Sequence, residues 1–252
     1  MSRADDLRQL HLDPAILVLV NAWDAASART VAAAPGCRAI ATASWSVAAA
    51  HGYPDGEAIP RALALEAVRV VAAAVDLPVT ADLERGYDDP GETTRLAVAA
   101  GAAGGNVEDG LAEGGLRAFE DSVERIAAVR AADAGFVINA RTDEFLRGGK
   151  TVEEAVRRGC AYLEAGADCV FVPGVRDAET IRALVDGMGG PVSVLAGPGS
   201  PSVRELEELG VARVSIGPGG MGVAMAALQR AAAELLGGGA PLDDLAFRPP
   251  QA

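Results

Sequence analysis

Short runs of apolar, often β-branched residues alternate along the chain with longer Ala-rich segments of helical character. Such near-continuous apolar runs are typical of parallel strands that are covered on both faces. The predicted strands are Ile16–Asn21, Ala39–Ser44, Pro78–Glu84, Gly105–Asp109, Phe136–Thr142, Cys169–Pro173, Pro191–Ala196 and Arg213–Gly217. The predicted helices are Arg61–Val75, Glu92–Ala100, Ser122–Ala132, Thr151–Ala165, Ala178–Gly187 and Ser202–Leu209.

Eight strand–helix units in 252 residues predict an α/β protein that closes into a single (β/α)₈ TIM barrel. A doubly wound open sheet is the alternative, but its Gly-x-Gly-x-x-Gly turn is missing after the first strand, where Asn21-Ala-Trp-Asp stands. No stretch rich in Pro and Ser divides the chain, so we expect residues 1–252 to form one barrel domain. The Gly- and Pro-rich segment 237–252 is expected to be a flexible end or an arm that packs on a neighbouring subunit.

The composition excludes several classes of protein. The net charge is −13, from 35 acidic and 22 basic residues, whereas a nucleic-acid-binding protein needs a basic face. No apolar run approaches the roughly 18 to 20 residues of a membrane helix. The first residues lack a secretory hydrophobic stretch, so we expect a cytoplasmic protein. Three cysteines without a paired short spacing fit neither a disulfide framework nor a zinc site.

Charged residues follow three successive predicted strands, at the end of a parallel barrel where catalytic groups lie. The third strand ends in Asp82-Leu-Glu84, the fourth in Glu108-Asp109, and the fifth in Asn139-Ala-Arg-Thr-Asp143. Carboxylates that converge in one cavity repel each other unless a cation lies among them, and Mg²⁺ prefers oxygen ligands. The structural alternative is that these carboxylates cap helices or form ion pairs with Arg85 and Arg141.

Together these segments resemble the isocitrate lyase/phosphoenolpyruvate mutase superfamily, from Asn21-Ala-Trp-Asp to Ser215-Ile-Gly-Pro-Gly. The most specific motifs are Gly52-Tyr-Pro-Asp-Gly-Glu57, Thr80-Ala-Asp-Leu-Glu-Arg-Gly-Tyr87, Asn106-Val-Glu-Asp109, Asn139-Ala-Arg-Thr-Asp143 and Ala165-Gly-Ala-Asp168. The resemblance implies a (β/α)₈ barrel that forms a homodimer or homotetramer by exchanging a C-terminal helix. It also implies Mg²⁺, with Mn²⁺ as a substitute, and a small 2-oxo acid or a di- or tricarboxylate as ligand.

The resemblance also implies roles for individual residues. Asp82 matches the principal metal-binding aspartate, and Glu84 and Glu108 match further carboxylates that act on the metal directly or through its water. Asp55 matches an acidic residue near the metal, and Arg141 matches the arginine that contacts the carboxylate and oxo oxygens of the substrate. The candidate catalytic residues are Arg141, Glu108 and Asp55; the candidate substrate-binding residues are Ala43, Ser44, Trp45, Asp82, Asn139 and Arg141; the candidate metal ligands are Asp82, Glu84 and Glu108.

Two departures from the family pattern bear on the reaction. The lyases carry a cysteine-containing loop after the fourth strand, but Gly110-Leu-Ala-Glu-Gly-Gly-Leu116 has no cysteine. The phosphonate-processing members usually have lysine where Gly110 stands. The leading hypothesis is therefore a Mg²⁺-dependent lyase that acts on or produces a small 2-oxo acid through an enolate, by C–C cleavage or decarboxylation of an oxaloacetate-like or methylisocitrate-like substrate. The alternatives are P–C chemistry of the phosphoenolpyruvate mutase or phosphonopyruvate hydrolase type, and a non-catalytic 2-oxo acid binding protein.

Overall fold

The structure, a computed structural model, describes residues 2–243 of the chain. All its strand pairs are parallel, and the strands follow one another around a single sheet in chain order. The strands are β1 (Leu17–Leu19), β2 (Asn21–Ala22), β3 (Ile40–Thr42), β4 (Val79–Asp82), β5 (Gly104–Glu108), β6 (Val137–Arg141), β7 (Cys169–Val172), β8 (Val192–Leu195) and β9 (Arg213–Ser215).

The sheet closes because its first strand is divided into two short pieces. β1 pairs with β9 and β2 pairs with β3, so the two pieces on either side of Val20 join the ends of the sheet. Counting β1 and β2 as one interrupted strand gives the eight strands of a (β/α)₈ barrel. The predicted TIM-barrel fold is confirmed, while exchange of a C-terminal helix between subunits stays a prediction.

The helices surround the barrel, and local capping explains where several of them begin. The Thr151 side chain accepts a hydrogen bond from the amide of Glu154, and Ser202 forms a capping box with Glu205. The helices are α1 (Arg3–Leu12), α2 (Ala25–Ala32), α3 (Ser44–Ala50), α4 (Arg61–Ala73), α5 (Pro90–Ala99), α6 (Phe119–Ala132), α7 (Glu144–Arg147), α8 (Val152–Glu164), α9 (Ala178–Met188), α10 (Val203–Glu208) and α11 (Gly219–Leu236).

Two predicted strand ends differ from the structure at positions that matter for the site. The second predicted strand ends at Thr42, and Ser44 instead begins helix α3. The third ends at Asp82, and Glu84 has a left-handed backbone with φ of 52°. Glu84 therefore lies beyond the strand, and strand alternation does not place it on one face with Asp82.

Helix α1 closes the amino-terminal end of the barrel. Its buried Leu7 packs in one cluster with Leu17 and Leu19 of β1 and with Val137 of β6. Larger apolar clusters fill the layer between the strands and the outer helices. The opposite end of the barrel, where the strands finish, is left for loops and polar side chains.

The last helix, α11, packs less completely than the others. Met221 is its one buried residue, and Val223, Leu228 and Leu236 expose 74%, 62% and 89% of their surfaces. Among residues 2–243, none of the helices combines the length and the apolar character needed to cross a membrane. Of the segment 237–252 singled out by its composition, residues 244–252 lie outside the described part of the chain.

Candidate active site

A cavity of about 180 Å³ opens at the carboxyl ends of the strands. Its walls come from both sides of the barrel mouth, and the residues that line it are Asn21, Ala43, Ser44, Trp45, Asp55, Asp82, Asn106, Arg141, Leu146, Phe171, Pro173, Leu195, Ser215, Gly217 and Pro218. Six sequence-predicted site residues are among them: Ala43, Ser44, Trp45, Asp55, Asp82 and Arg141. The volume suits a small organic acid, since it equals that of about six molecules of liquid water.

Asp82 is held at the end of β4 by the first residue of helix α3. The Ser44 amide and hydroxyl both donate to Asp82 Oδ2, at 3.0 and 2.8 Å, and the hydroxyl lies 3.5 Å from Asp55 Oδ1. The amide of Asp82 in turn donates to the Thr42 hydroxyl at 2.9 Å. These bonds fix the Asp82 carboxylate at the cavity wall. The Ser44 amide and hydroxyl, predicted to hold substrate, are used here to orient Asp82.

Asp55 reaches the site because its loop is docked onto the segment that follows β4. The Glu57 side chain accepts hydrogen bonds from Arg85 Nε at 3.0 Å and from the Tyr87 amide at 2.6 Å, and the Glu57 amide donates to Glu84 Oε2 at 2.5 Å. Glu57, Glu84 and Tyr87 all have positive φ, between 52° and 62°. Left-handed backbone at non-glycine residues costs of order 1–3 kcal/mol each and clusters at functional sites. This strain is concentrated beside Asp55 and Asp82.

Arg141 stands at the end of β6 between two carboxylates. Its Nη1 lies 2.7 Å from Glu108 Oε2, and its Nε donates to Asp143 Oδ1 at 2.6 Å. The guanidinium carbon also lies 5.8 Å from the centre of the Phe171 ring, within reach of a cation–π contact. Arg141 therefore forms the ion pairs of the structural alternative and also lines the cavity, as its predicted functional role requires.

Burial and mutual repulsion disfavour the charged forms of the acidic groups at this mouth of the barrel. Burial, followed by repulsion from Asp82, raises the pKa of Asp55. Burial and the charges of Asp82 and Asp55 raise the pKa of Glu84 to about 7. Burial also raises the pKa of Glu108, although Arg141 opposes the shift. Shifts of this kind, in a cavity with a specific charge partner, are typical of functional sites.

The donor set fits a hard divalent cation, although no three described residues form a ready-made metal cluster. Among residues 2–243, no group of three or more His, Cys, Asp or Glu side chains is arranged to hold a metal. Glu108 is engaged by Arg141 and one oxygen of Glu84 by the Glu57 amide, but Glu84 Oε1 is buried without a hydrogen-bond partner. Asp82 supplies an oriented carboxylate, and Mg²⁺ commonly takes one or two carboxylates and keeps several waters. The ligand set Asp82, Glu84 and Glu108 stays a prediction.

Below the cavity lies a polar layer of Asn139, Asn106 and Arg213, of which only Asn139 was a predicted site residue. Asn139, predicted to bind substrate, is 1% exposed and donates through Nδ2 to Asn106 Oδ1 at 2.7 Å, while Asn106 lines the cavity. Asn106 Oδ1 also accepts from Arg213 Nη2 at 3.3 Å. The structure therefore places Asn139 beneath the site, in support of Asn106. The sequence indicated Asn106 only through the Asn106-Val-Glu-Asp109 motif, and nothing in the sequence indicated a role for Arg213.

The loop after β5 is a small hairpin, in which Gly110 and Leu116 form an isolated antiparallel bridge. A Cβ atom at Gly110 would lie 2.5 Å from Asp143 Oδ2 and 2.9 Å from Arg147 Cδ. The side chains of Asp143 and Arg147 thus fill the space where the phosphonate-processing members carry a lysine. Among the described residues that line the cavity there is also no cysteine, as expected from the sequence.

The comparisons with known proteins agree with this fold and give the family of the chain. Residues 7–236 match the family described as phosphoenolpyruvate phosphomutase, so the chain belongs to that family, within the isocitrate lyase/phosphoenolpyruvate mutase superfamily of lyases, mutases and hydrolases.

Three relatives illustrate how widely the reactions of the superfamily differ. A Burkholderia cenocepacia J2315 protein, provisionally described as a phosphonomutase, is 43% identical with a TM-score of 0.86, over 90% of this chain and 98% of that one. The 2-methylisocitrate lyase of Halalkalibacterium halodurans is 29% identical over 75% of this chain and 66% of its own. A phosphonopyruvate hydrolase in complex with oxalate and Mg²⁺ is 26% identical with a TM-score of 0.88, over 98% of this chain and 92% of that one.

Proposed function

We propose that the protein is a Mg²⁺-dependent carbon–carbon lyase that acts on, or produces, a small 2-oxo acid through an enolate. The observation that carries the proposal is the meeting of Asp82, Asp55 and Arg141 around one small cavity, with Asp82 oriented by Ser44. The oxalate and Mg²⁺ held by the related phosphonopyruvate hydrolase support the same ligand chemistry.

The described side chains divide the work of such a reaction. Asp82, fixed by two donors from Ser44, would be the direct metal ligand, and Glu84 and Asp55, whose charges act on one another, would support it through water. When bound, Mg²⁺ supplies Lewis-acid polarisation of the oxo group of the substrate. Arg141 presents a permanent positive charge to the cavity, so it binds the carboxylate and stabilises the negative charge that develops on the enolate.

The absence of a cysteine among the cavity-lining described residues favours reactions that need no thiol acid. In a decarboxylation the leaving group is CO₂, which needs no protonation, and water can protonate the resulting enolate. A retro-aldol cleavage gives the 2-oxo acid and the enolate of the departing acid; a carboxylate such as Asp55 would take up the hydroxyl proton, and water would protonate that enolate. Both reactions therefore fit the residues that surround the cavity.

The test is a panel of oxaloacetate, isocitrate, methylisocitrate, dimethylmalate and phosphonopyruvate, assayed with and without Mg²⁺ in wild type and in Asp82→Asn. Asp76→Asn is the matched control, because Asp76 is exposed and pairs only loosely with Arg3. We expect Mg²⁺-dependent turnover of a C–C substrate that is lost in Asp82→Asn alone. Mg²⁺-dependent binding of oxalate without turnover would support a non-catalytic binding protein, and neither turnover nor binding would refute the site.

P–C chemistry is the second candidate, favoured by the phosphonomutase-like and phosphonopyruvate hydrolase relatives. The crowded surroundings of Gly110 oppose it, because no lysine can occupy that place without displacing Asp143 or Arg147. Release of phosphate from phosphonopyruvate in the panel would favour this candidate over the lyase.

We also propose that the chain assembles into a homodimer or homotetramer through α11. An apolar groove of about 610 Å³ lies between α2 and α11, next to the exposed Val223. An unpaired apolar face of this kind is typical of an interface. Light scattering should give a mass of two or four chains, and Leu228→Asp should reduce it. Leu12→Asp, at an equally exposed leucine on α1, is the control. A monomeric wild type would contradict the assembly.

A further inference from the structure

The cavity has two chemically different sides. The side formed by the ends of β3 and β4 carries Ser44, Asp55 and Asp82, and is polar and acidic. The side formed by the ends of β7, β8 and β9 carries Phe171, Leu195 and the residues next to them, and is mainly apolar. Arg141, on β6, stands between the two sides.

Two glycines shape the apolar side by letting leucine side chains come close. A Cβ atom at Gly174 would lie 2.9 Å from Leu146 Cδ2, and one at Gly217 would lie 3.1 Å from Leu195 Cδ1. Both glycines have positive φ, 94° and 51°, which a larger residue adopts only with strain. The two leucines are therefore seated against the backbone of the loops after β7 and β9.

The apolar side offers few cations or hydrogen-bond donors to a second anionic group of a ligand. Arg141 is the one cationic residue among the described residues that line the cavity, and two of its nitrogens already contact Glu108 and Asp143. Asn21 donates to the Thr42 carbonyl and accepts from the Ile216 amide, so its side chain is engaged. A carboxylate beside Phe171 and Leu195 would lose its water in mainly apolar surroundings, where Ser215 is the one polar side chain among the described residues on this side, and this loss costs free energy.

We propose that the 2-oxo acid released by cleavage in this cavity carries an uncharged alkyl group that lies against Leu195, Phe171 and Leu146. The inference rests on the proposed function, since it takes the 2-oxo acid unit to be held by Arg141 and by the acidic side with its metal. It narrows the substrate class to acids whose second carboxylate is lost as CO₂ or leaves with the other fragment, because a further carboxylate or a phosphonate beside these three residues is disfavoured.

The test compares two unreactive oxamates of equal size by calorimetry in the presence of Mg²⁺. N-isobutyloxamate and N-oxalylglycine have the same number of non-hydrogen atoms, but the first ends in two methyl groups where the second ends in a carboxylate. Because its two methyl groups gain from leaving water whereas a carboxylate loses its hydration there, we expect N-isobutyloxamate to bind at least about tenfold more tightly. Tighter binding of N-oxalylglycine, or equal binding, overturns the inference.

Variants connect the preference to the apolar side. Leu195→Arg should reduce or invert the ratio of the two affinities, and Leu195→Asn, which adds no charge, should reduce it less. Val203→Arg, at an exposed position on α10 outside the cavity, is the control for an added charge and should leave the ratio unchanged. A ratio unchanged in both Leu195 variants would overturn the assignment of the alkyl group to this side.

Oxalate, which has no substituent, separates this inference from the proposed function. Binding of oxalate with a preference for N-oxalylglycine leaves the proposed function standing and overturns the inference alone. Failure of oxalate and both oxamates to bind in the presence of Mg²⁺ overturns both.

Discussion

Protonation of His11 should make a separable contribution to how the stability of this protein depends on pH. The ring is 3% exposed, and its Nδ1 lies 2.8 Å from the Leu7 carbonyl. A carbonyl only accepts, so Nδ1 carries the proton, and the bare Nε2 faces Arg213 Nη1 at 3.4 Å. Burial, and after it the positive charge of Arg213, lowers the pKa of His11 from 6.5 to about 4.

The sign and size of the effect follow from linkage. Between pH 6.5 and 4 the unfolded chain binds a proton at His11 that the folded chain does not bind, so the contribution of His11 to the free energy of unfolding decreases as the pH falls through this window. The contribution is nearly complete at pH 7 and is lost progressively below it. From pH 7 to pH 5 the expected loss is about 2 kcal/mol, and the full shift corresponds to about 3 kcal/mol.

The measurement is urea unfolding of wild type and His11→Gln at pH 7 and pH 5. Taking the difference between the two proteins at each pH removes the other titrating groups, and His11→Asn serves as a second neutral replacement. We expect wild type to lose about 2 kcal/mol more than the variant between the two pH values. Equal losses in wild type and both variants would refute the interpretation of His11 as a buried neutral ring.

Three further substitutions test the site and its surroundings. Asp82→Asn should weaken Mg²⁺-dependent oxalate binding at least about 100-fold in calorimetry, since outer-shell changes alone cost 10- to 100-fold, and the melting temperature should change little; retained binding would exclude Asp82 as a metal ligand. Arg141→Lys should weaken oxalate binding about 10- to 100-fold, because lysine lacks the bidentate fork and one charge-assisted hydrogen bond contributes roughly 1.5–3 kcal/mol; unchanged affinity would contradict its role. Gly110→Lys should lower the free energy of unfolding by about 1–3 kcal/mol through overpacking against Asp143. Gly197→Lys, whose side chain would lie in open space, is the control and should not lower it. Equal free energies of unfolding for the two variants would contradict the crowding at Gly110.

The barrel was predictable because apolar runs and helical segments alternate regularly, and this pattern directly reflects strands buried on both faces. The position of Asp82 and Arg141 at strand ends followed from the same pattern. The placement of Asp55 was not derivable from periodicity, since it depends on the docking of Glu57 onto Arg85, a contact between residues far apart in the chain. The resemblance to the superfamily alone pointed to Asp55.

Other features escaped prediction for physical reasons. Helix α3 is short and lacks a side-chain cap, so nothing in the local sequence separates it from the preceding strand. Helix α11 begins at Gly219 after a proline and likewise lacks a capping side chain. The left-handed turn at Glu84 is stabilised by contacts with another loop, whereas Glu has no intrinsic preference for it.

Arg213 is a positively charged residue enclosed inside the barrel. It is 1% exposed, and within residues 2–243 its side chain contacts His11 and Asn106 but forms no ion pair with a carboxylate. Burial lowers the pKa of Arg213, whereas the charge of Asp82 opposes this shift, so the two groups attract each other although they do not touch. The enclosed cation is thus stabilised in its charged form partly by a carboxylate at the cavity. A substitution that removes the charge of Asp82 therefore also removes support from Arg213 and, through it, from the asparagine that Arg213 contacts.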